Sequence, residues 1–284
     1  QTCALPIYGV EPSSGPMALG FEGSLRVYVG DWQGRIRVIS YEMGKNYPYV
    51  RWQWNLQTPP TAQPVGHENL AYVGDRAGVL SCFGLDRERR WTFNTRSPIL
   101  SSPLVRDHSL YVGAEDGVFH ALDRLNGREF GALYLPAAVR GQPFAYGLDG
   151  ERVYAWTASP KDSAQDGLRA IHTRFDTVAY QDVEKHRLEV ERLAEDWFLP
   201  GVSRLVASSP GHFYVTRPDS LVVLDVDRKT GRILWNWNLT EERSGADAIA
   251  HVVEYQDPRD ELRTIITASA NGRLIAWRLF GHQR

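Results

Sequence analysis

Four arginines lie in short segments rich in glycine, proline and serine, at comparable places along the chain. A guanidinium group presents a planar fork of N–H donors that matches the oxygens of a carboxylate or a phosphate. The four could therefore bind an anionic partner, although solvated loop charges, or ion pairs with neighbours such as Glu151 or Asp247, are the commoner role of such residues. They are Arg96 in TRSPILSSP, Arg140 in AVRGQP, Arg204 in VSRLVASSP and Arg243 in ERSGAD.

The other residues that could carry chemistry do not form a catalytic or metal-binding pattern. The segment HENLA at His67 lacks the second histidine of a zinc-binding HExxH helix, and the sequence has no GxxxxGK[ST] phosphate loop. His120 and His172 occupy similar places in two predicted strands, where we expect surface residues of the sheets and no metal site. The pairs Ser101-Ser102 and Ser208-Ser209 each precede a proline, and we expect them to form hydrogen bonds within the fold.

The first seven residues, QTCALPI, resemble the translated end of a sequencing-library adapter. We therefore expect residues 1–7 to be an assembly artefact, with native sequence from about Tyr8 and with the true N-terminus and any signal region missing. Cys82 is then the only native cysteine, and we expect it to be a small buried hydrophobic residue. One cysteine cannot form an internal disulfide, so cysteine usage does not indicate a redox compartment.

Composition narrows the classes of partner. The chain has 284 residues, is 43% hydrophobic and carries a formal net charge of −2, which does not favour nucleic acid or an anionic membrane surface. No apolar run approaches the roughly 20 residues that a membrane span needs. Nine tryptophans and thirteen tyrosines favour β-structure, in which aromatic side chains pack on pleated surfaces.

A strand, a tight turn and a second strand recur six times, for example in LAYVGDRAGVLSCFGLD and SLYVGAEDGVFHALDRLNGREF. Asp or Asn before the turn glycine, as in EDG and ANG, predicts two-residue hairpins with positive φ. The spacing of 39 to 53 residues between turns is typical of four-stranded propeller blades. The turns end at Gly34, Gly78, Gly117, Gly167, Ser220 and Gly272.

These repeats predict an all-β fold, a single β-propeller domain over residues 8–284 with about six blades of four antiparallel strands. The sixth blade stops after its third strand, GRLIAWRLF. Propellers commonly complete the last blade with a strand from the other terminus, so we expect the chain to be truncated at its N-terminus. Residues 176–193 break the rhythm and are predicted to be an insertion, either a short helix or a strand. The predicted blades cover residues 15–56, 61–95, 101–136, 142–200, 204–239 and 246–280.

The segment DRKTGRILW resembles the tryptophan-docking motif of PQQ-like, or quinoprotein-type, propeller repeats. Asp227, Thr230, Gly231 and Trp235 match the pattern D-x-x-T-G-x-x-x-W, whereas DRLNGREF has Phe130 in place of the tryptophan. The resemblance covers nearly all of residues 20–280. It implies that glycine permits the turn and that Trp235 is a buried anchor between adjacent blades.

Quinoprotein dehydrogenases of this family carry a vicinal Cys-Cys pair and a Ca²⁺ site of Glu, Asn and Asp, and this sequence shows neither. The resemblance therefore points to the non-enzymatic, BamB-like members. It implies a scaffold of the periplasm or cell envelope that needs no cofactor and binds a protein through the arginine segments as an interaction rim. Two alternatives stay open: a fragment of a quinoprotein dehydrogenase whose catalytic blades are missing, and the sensor domain of a larger receptor or kinase.

Overall fold

The computed structural model describes residues 17–21, 24–42, 48–84, 86–106, 108–146, 152–179, 187–218, 222–238, 249–256, 263–269 and 271–279. These residues form antiparallel sheets and one short 3-10 turn, Ser163–Gln165. The sheets confirm the prediction of an all-β fold with about six propeller blades. Residues 1–7, Ser220 and Arg243 lie outside the described residues.

Each sheet is built from consecutive strands, and we number the sheets as blades 1 to 6 in chain order. Blade 1 contains β1 (Met17–Phe21), β2 (Ser24–Gly30), β3 (Arg35–Glu42) and β4 (Tyr49–Asn55). Blade 2 contains β5 (Val65–His67), β6 (Leu70–Gly74), β7 (Val79–Gly84) and β8 (Arg89–Asn94). Blade 3 contains β9 (Leu104–Arg106), β10 (Ser109–Gly113), β11 (Val118–Asp123) and β12 (Glu129–Tyr134).

The remaining strands follow the same order, and we call the four strands of a blade inner, central, third and outer. Blade 4 contains β13 (Ala138–Phe144), β14 (Arg152–Ala158), β15 (Gly167–Ala179) and β16 (Arg187–Pro200). Blade 5 contains β17 (Arg204–Ser209), β18 (His212–Thr216), β19 (Val222–Asp227) and β20 (Ile233–Asn238). Blade 6 contains, within the described residues, β21 (Ile249–Gln256), β22 (Arg263–Ser269) and β23 (Leu274–Leu279).

The chain divides into two compact units. The first comprises Gln1–Ala145, Val153–Ala158 and His172–Ala194, and the second comprises Tyr146–Arg152, Ser159–Ile171 and Glu195–Arg284. Among the described residues, no helix has the length and apolar character that a membrane span requires.

In blades 1, 2, 3 and 6 the turn between the central and third strands closes on a glycine. In blade 3 the Gly117 N–H donates to the Ala114 carbonyl, and Gly117 has a φ of +85°. Asp116, directly before it, is not among the described residues with positive φ, so these are three-residue connections rather than the predicted two-residue hairpins. Only the glycine, which lacks a Cβ, takes the left-handed conformation.

The same glycine also admits the segment that leaves the outer strand. A Cβ on Gly117 would lie 2.3 Å from the Leu135 carbonyl oxygen, while the Leu135 N–H donates to the Gly117 carbonyl at 2.9 Å. Gly78 and Ser97 repeat the close approach in blade 2, at 2.5 Å. Glycine therefore fixes both the turn and the path of the chain toward the next blade.

Residues 176–179 and 187–193 form strand, as parts of β15 and β16. The prediction of a short helix is therefore wrong for these residues. The alternation in RLEVER was the correct indicator of strand. Residues 180–186 lie outside the described residues.

Tryptophans of outer strands dock on the following blade. The Trp54 indole N–H donates to the Arg87 carbonyl at 3.1 Å, and the Trp91 indole N–H to the Arg124 carbonyl at 3.2 Å. Trp197 makes the same contact with the Arg228 carbonyl at 3.3 Å. Each acceptor lies in the turn between the third and outer strands of the next blade.

The glycine of that turn receives the indole. A Cβ on Gly127 would lie 2.5 Å from Trp91 Cε3, and a Cβ on Gly231 would lie 2.6 Å from Trp197 Cδ2. The glycine in D-x-x-T-G therefore does more than permit a turn, because it leaves room for the tryptophan of the preceding blade.

Trp235 does not fill the anchoring role that the motif predicts, since its side chain is 46% exposed. Trp237, two residues further along the same strand face, is 4% exposed and its ring lies 6.2 Å from that of Tyr214. It belongs to the core cluster that also contains Val223 and Val252. The apolar site is therefore occupied by the second tryptophan of WNW.

We expect Trp91→Ala to lower the free energy of unfolding by about 3–5 kcal/mol, because it empties a buried site and removes the indole donor from the Arg124 carbonyl, which keeps only the Tyr72 hydroxyl. Trp235→Ala is the matched comparison, and it should lower the free energy of unfolding by clearly less, because nearly half of that side chain is already exposed to solvent. Urea denaturation of both variants measures the difference. Equal losses would contradict the assignment of the anchor.

Candidate functional site

In blades 1 to 5 the turn between the central and third strands lies at the same end of the sheet as the last residue of the outer strand, and we call this the hairpin end. The segment after β8 is fixed there to two blades. The Ile99 N–H donates to the Asp75 carbonyl in blade 2, and the Glu115 N–H of blade 3 donates to the Pro98 carbonyl at 2.9 Å. Backbone hydrogen bonds therefore hold this connecting segment in one conformation.

The described arginines of the predicted rim occupy two kinds of position, a connecting segment and strands. Arg96 lies in the connecting segment, has a φ of +63° and is exposed. Arg140 and Arg204 lie instead in strands, opposite Trp156 in β14 and Thr216 in β18, and both are exposed. Arg96 and Arg140 belong to the first compact unit and Arg204 to the second. A common rim of four arginines stays a prediction.

An exposed tryptophan at the hairpin end of blade 1 was missed by the sequence analysis. The Trp32 side chain is 56% exposed, at the tip of the turn between β2 and β3. Buried Asp31 stiffens this turn, because its Oδ1 accepts the N–H groups of Gln33 and Arg35 at 3.0 and 2.9 Å. The available signal was DWQG, which places an indole where the other repeats have polar or small residues.

The second unit contains a cleft of about 500 Å³ at the hairpin end of blade 5. Arg217 is the one charged side chain among the described residues of its lining, and it follows Thr216, the strand partner of Arg204. The guanidinium group of Arg217 could contact an anionic group that enters the cleft between the small side chains. The lining comprises Ser163, Ala164, Pro200, Gly201, Arg217 and Pro218.

Of the histidine and cysteine candidates, His120 and Cys82 are buried, whereas His172 is half-buried. His120 is 7% exposed and its Nδ1 lies 2.7 Å from Glu129 Oε1, so the prediction of a surface residue is wrong. Cys82 is fully buried, as predicted, and burial raises the pKa of its thiol to about 12, which disfavours the reactive thiolate. Within the described ranges no three His, Cys, Asp or Glu side chains are grouped to hold a metal ion.

Of the serine pairs, Ser101 forms the hydrogen bonds within the fold that we expected. Its hydroxyl donates to the Gly113 carbonyl at 2.9 Å and accepts the Gly113 N–H at 2.7 Å. Because both partners belong to the backbone, this hydroxyl is engaged in structure and is not poised as a nucleophile.

A buried carboxylate links blade 4 to blade 3 inside the first unit. Glu191, in β16, is 4% exposed, and its Oε2 accepts the Ser109 hydroxyl at 2.7 Å. The Tyr111 hydroxyl donates to Glu191 Oε1, and Thr173 also hydrogen-bonds Tyr111. A Cβ on Gly131 would lie 2.0 Å from the Glu191 carbonyl oxygen, so the two backbones are in close contact.

Burial raises the pKa of Glu191, although the hydrogen bonds from Tyr111 and Ser109 and the charge of Arg106 act in the opposite direction. The folded protein therefore holds this proton more tightly than the unfolded chain. The corresponding contribution to stability is complete below the ordinary glutamate pKa, and it is lost as the pH rises through the folded-state pKa.

We expect the free energy of unfolding of Glu191→Gln to depend less on pH than that of the native chain between pH 5 and 8. One titrating proton contributes at most about 1.4 kcal/mol per pH unit, and the variant should be the more stable form at the alkaline end. Urea denaturation across this range measures the pH dependence of the free energy of unfolding, and Glu115→Gln at an exposed position is the control. Parallel pH profiles for native chain and Glu191→Gln would contradict the assignment.

Comparison with known proteins agrees with this architecture. Residues 33–281 match the profile of a PQQ-like family described as "Outer membrane protein assembly factor BamB". No curated protein matches the chain. The crystal structure of BamB from Moraxella catarrhalis is 15% identical with a TM-score of 0.50, covering 94% of this chain and 85% of that one. A chain in the crystal structure of the mitotic checkpoint complex is 11% identical with a TM-score of 0.54, covering 90% and 72%.

At such identities the structural likeness shows the fold alone, and the profile match carries the relationship. It extends from the turn of blade 1 through the third strand of blade 6 and includes every docked tryptophan described above. The chain belongs to the PQQ-like family described as outer membrane protein assembly factor BamB.

Proposed function

We propose that the chain is a non-catalytic scaffold that binds another protein in the bacterial cell envelope. Membership of the family over residues 33–281 supports this role, since the description of that family names an outer membrane assembly factor. The periplasmic or envelope-associated location is likewise proposed from the family. Binding to a protein then has to come from side chains that the fold presents to solvent.

The observation that carries the proposal is the rigid presentation of Trp32 at the hairpin end of blade 1. Tryptophan and arginine are the residue types that most often dominate binding energy at protein interfaces. Trp32 is exposed on a turn fixed by Asp31, and Arg96 is exposed on a segment fixed by backbone hydrogen bonds. Because neither turn has to be ordered on binding, the entropic cost of association is low.

The chemistry-bearing groups of the described residues support a scaffold over an enzyme. Cys82, His120, Glu191 and Ser101 are buried, and most of their polar atoms are engaged by neighbouring protein groups. A catalytic acid, base or nucleophile has to reach the substrate within hydrogen-bonding distance. These four groups act within the fold instead.

Site-specific crosslinking tests the interaction surface. A photoreactive phenylalanine analogue in place of Trp32 should crosslink to one defined envelope protein, and the same analogue at exposed Leu125, on the opposite end of blade 3, should not. Charge reversal of Arg96, Arg140, Arg204 and Arg243 should weaken the crosslink while the fold is retained, and added salt should weaken it further. Equal crosslinking at positions 32 and 125 would reject the hairpin end as the binding surface.

A quinone titration tests the enzyme alternative. We expect no saturable quenching of tryptophan fluorescence when pyrroloquinoline quinone and Ca²⁺ are added, because the sequence has neither the Cys-Cys pair nor the acidic ligands of the dehydrogenases. Quenching that saturates at micromolar quinone and requires Ca²⁺ would instead favour a quinoprotein enzyme.

A further inference from the structure

Three arginines surround one indole between blades 1 and 2, at the end opposite the hairpin ends. The guanidinium carbons of Arg26, Arg51 and Arg87 lie 5.3, 5.3 and 5.2 Å from the centre of the Trp52 ring. We call these four residues the Trp52 cluster. Arg51 and Arg87 are exposed, Trp52 is half-buried, and Arg26 is 5% exposed. The cluster is therefore open to solvent on one side and closed on the other.

The positive charge of the cluster is concentrated. All three guanidinium groups lie within about one Debye length of each other, roughly 10 Å at 0.1 M salt, so each raises the electrostatic potential at the other two. Each also gains a cation–π contact with the indole, which holds the groups around Trp52. The Trp52 Nε1–H is buried and has no hydrogen-bond partner among the described residues. An anion bound here would meet several donors at once.

The equivalent place between blades 2 and 3 shows which anion fits. Arg124 corresponds to Arg87, because each accepts a docked indole N–H on its main-chain carbonyl. The Arg124 guanidinium donates to both carboxylate oxygens of Glu68, at 2.9 and 3.4 Å. This contact holds the pKa of Glu68 below its usual value. The chain thus supplies its own carboxylate to Arg124.

Blade 1 differs from blade 2 at two positions that determine whether the chain itself supplies a carboxylate to the turn arginine. The central strand of each blade has a buried tyrosine, Tyr72 in blade 2 and Tyr28 in blade 1. Four residues before it, blade 2 has Glu68 and blade 1 has Ser24. Two residues before it, blade 2 has Leu70 and blade 1 has Arg26. In the described part of the chain no acidic side chain contacts Arg87, and its neighbours Asp86 and Glu88 pair with Arg90. Compared with blade 2, blade 1 therefore has an additional arginine, Arg26, and lacks the glutamate.

We propose that the Trp52 cluster binds carboxylates of an acidic segment of a partner protein. Arg87 takes an Asp or Glu side chain in the two-pronged contact that Arg124 makes with Glu68, and exposed Arg51 binds a second carboxylate of the segment. This inference rests on the proposed scaffold function and adds a partner chemistry to it. It also places a second contact surface at the end of blades 1 and 2 that lies away from Trp32.

The test is the binding of fluorescein-labelled hexaglutamate, measured by fluorescence anisotropy. Native chain should bind the peptide saturably, hexaglutamine should not bind, and Arg51→Gln/Arg87→Asn should bind hexaglutamate at least tenfold more weakly. The control Arg128→Gln/Arg232→Gln removes the same charge from two exposed turn positions and should keep native affinity. Asparagine is chosen because Arg87 has a φ of +79°, which asparagine tolerates.

The Trp54 contact survives in the variant, since its acceptor is the main-chain carbonyl of residue 87, and unchanged thermal unfolding verifies the fold. Equal hexaglutamate affinity for native chain and Arg51→Gln/Arg87→Asn would overturn the site. Displacement of the peptide by inorganic phosphate at concentrations where acetate has no effect would overturn the choice of carboxylate. Peptide binding does not depend on crosslinking at position 32, so failure of this site and failure of the scaffold function are separate results.

Discussion

The contact on which the blades depend is a tryptophan of one outer strand seated on the turn of the next blade. The indole N–H reaches a main-chain carbonyl, and in two of the three described cases the ring lies over a glycine where a Cβ would collide. In a fold built of sheets alone, each sheet buries its apolar face against another sheet, so a blade without a neighbour would leave its core exposed. Docking therefore joins local hairpins into a cooperative array, and the surface chemistry is built on that array.

The two ends of the blades serve different purposes within this frame. At the hairpin end, glycine lets each connecting segment lie against a turn, which leaves side chains such as Trp32 and Arg96 on stiff supports. At the other end, docking uses only the main-chain carbonyl of the arginine beside each docked tryptophan. The side chain of that arginine can therefore have a different partner in each blade. The Arg124 side chain binds Glu68, whereas the Arg87 side chain belongs to the Trp52 cluster.

The repeat period, the turn glycines and the family were predictable because they rest on local patterns. The choice between Trp235 and Trp237 was not, since both lie on one face of β20 and only packing against blade 6 distinguishes them. Burial of His120 and the contact of Glu191 with Tyr111 were equally hidden, because both depend on which strands become neighbours. The Trp52 cluster joins residues from three parts of the chain, and Trp32 alone had a local signal in DWQG.

The contact between Glu191 and Tyr111 is distant in sequence, and this separation affects the order in which the chain folds. Tyr111 and its strand partner Ala121 are close in sequence, whereas Tyr111 and Glu191 are 80 residues apart. Closing the longer loop costs about 2 kcal/mol more in chain entropy. Blade 3 can therefore assemble before β16 arrives, and we expect the carboxylate contact to form after the rate-limiting barrier. Its strength then governs how slowly blade 4 detaches rather than how quickly the propeller folds.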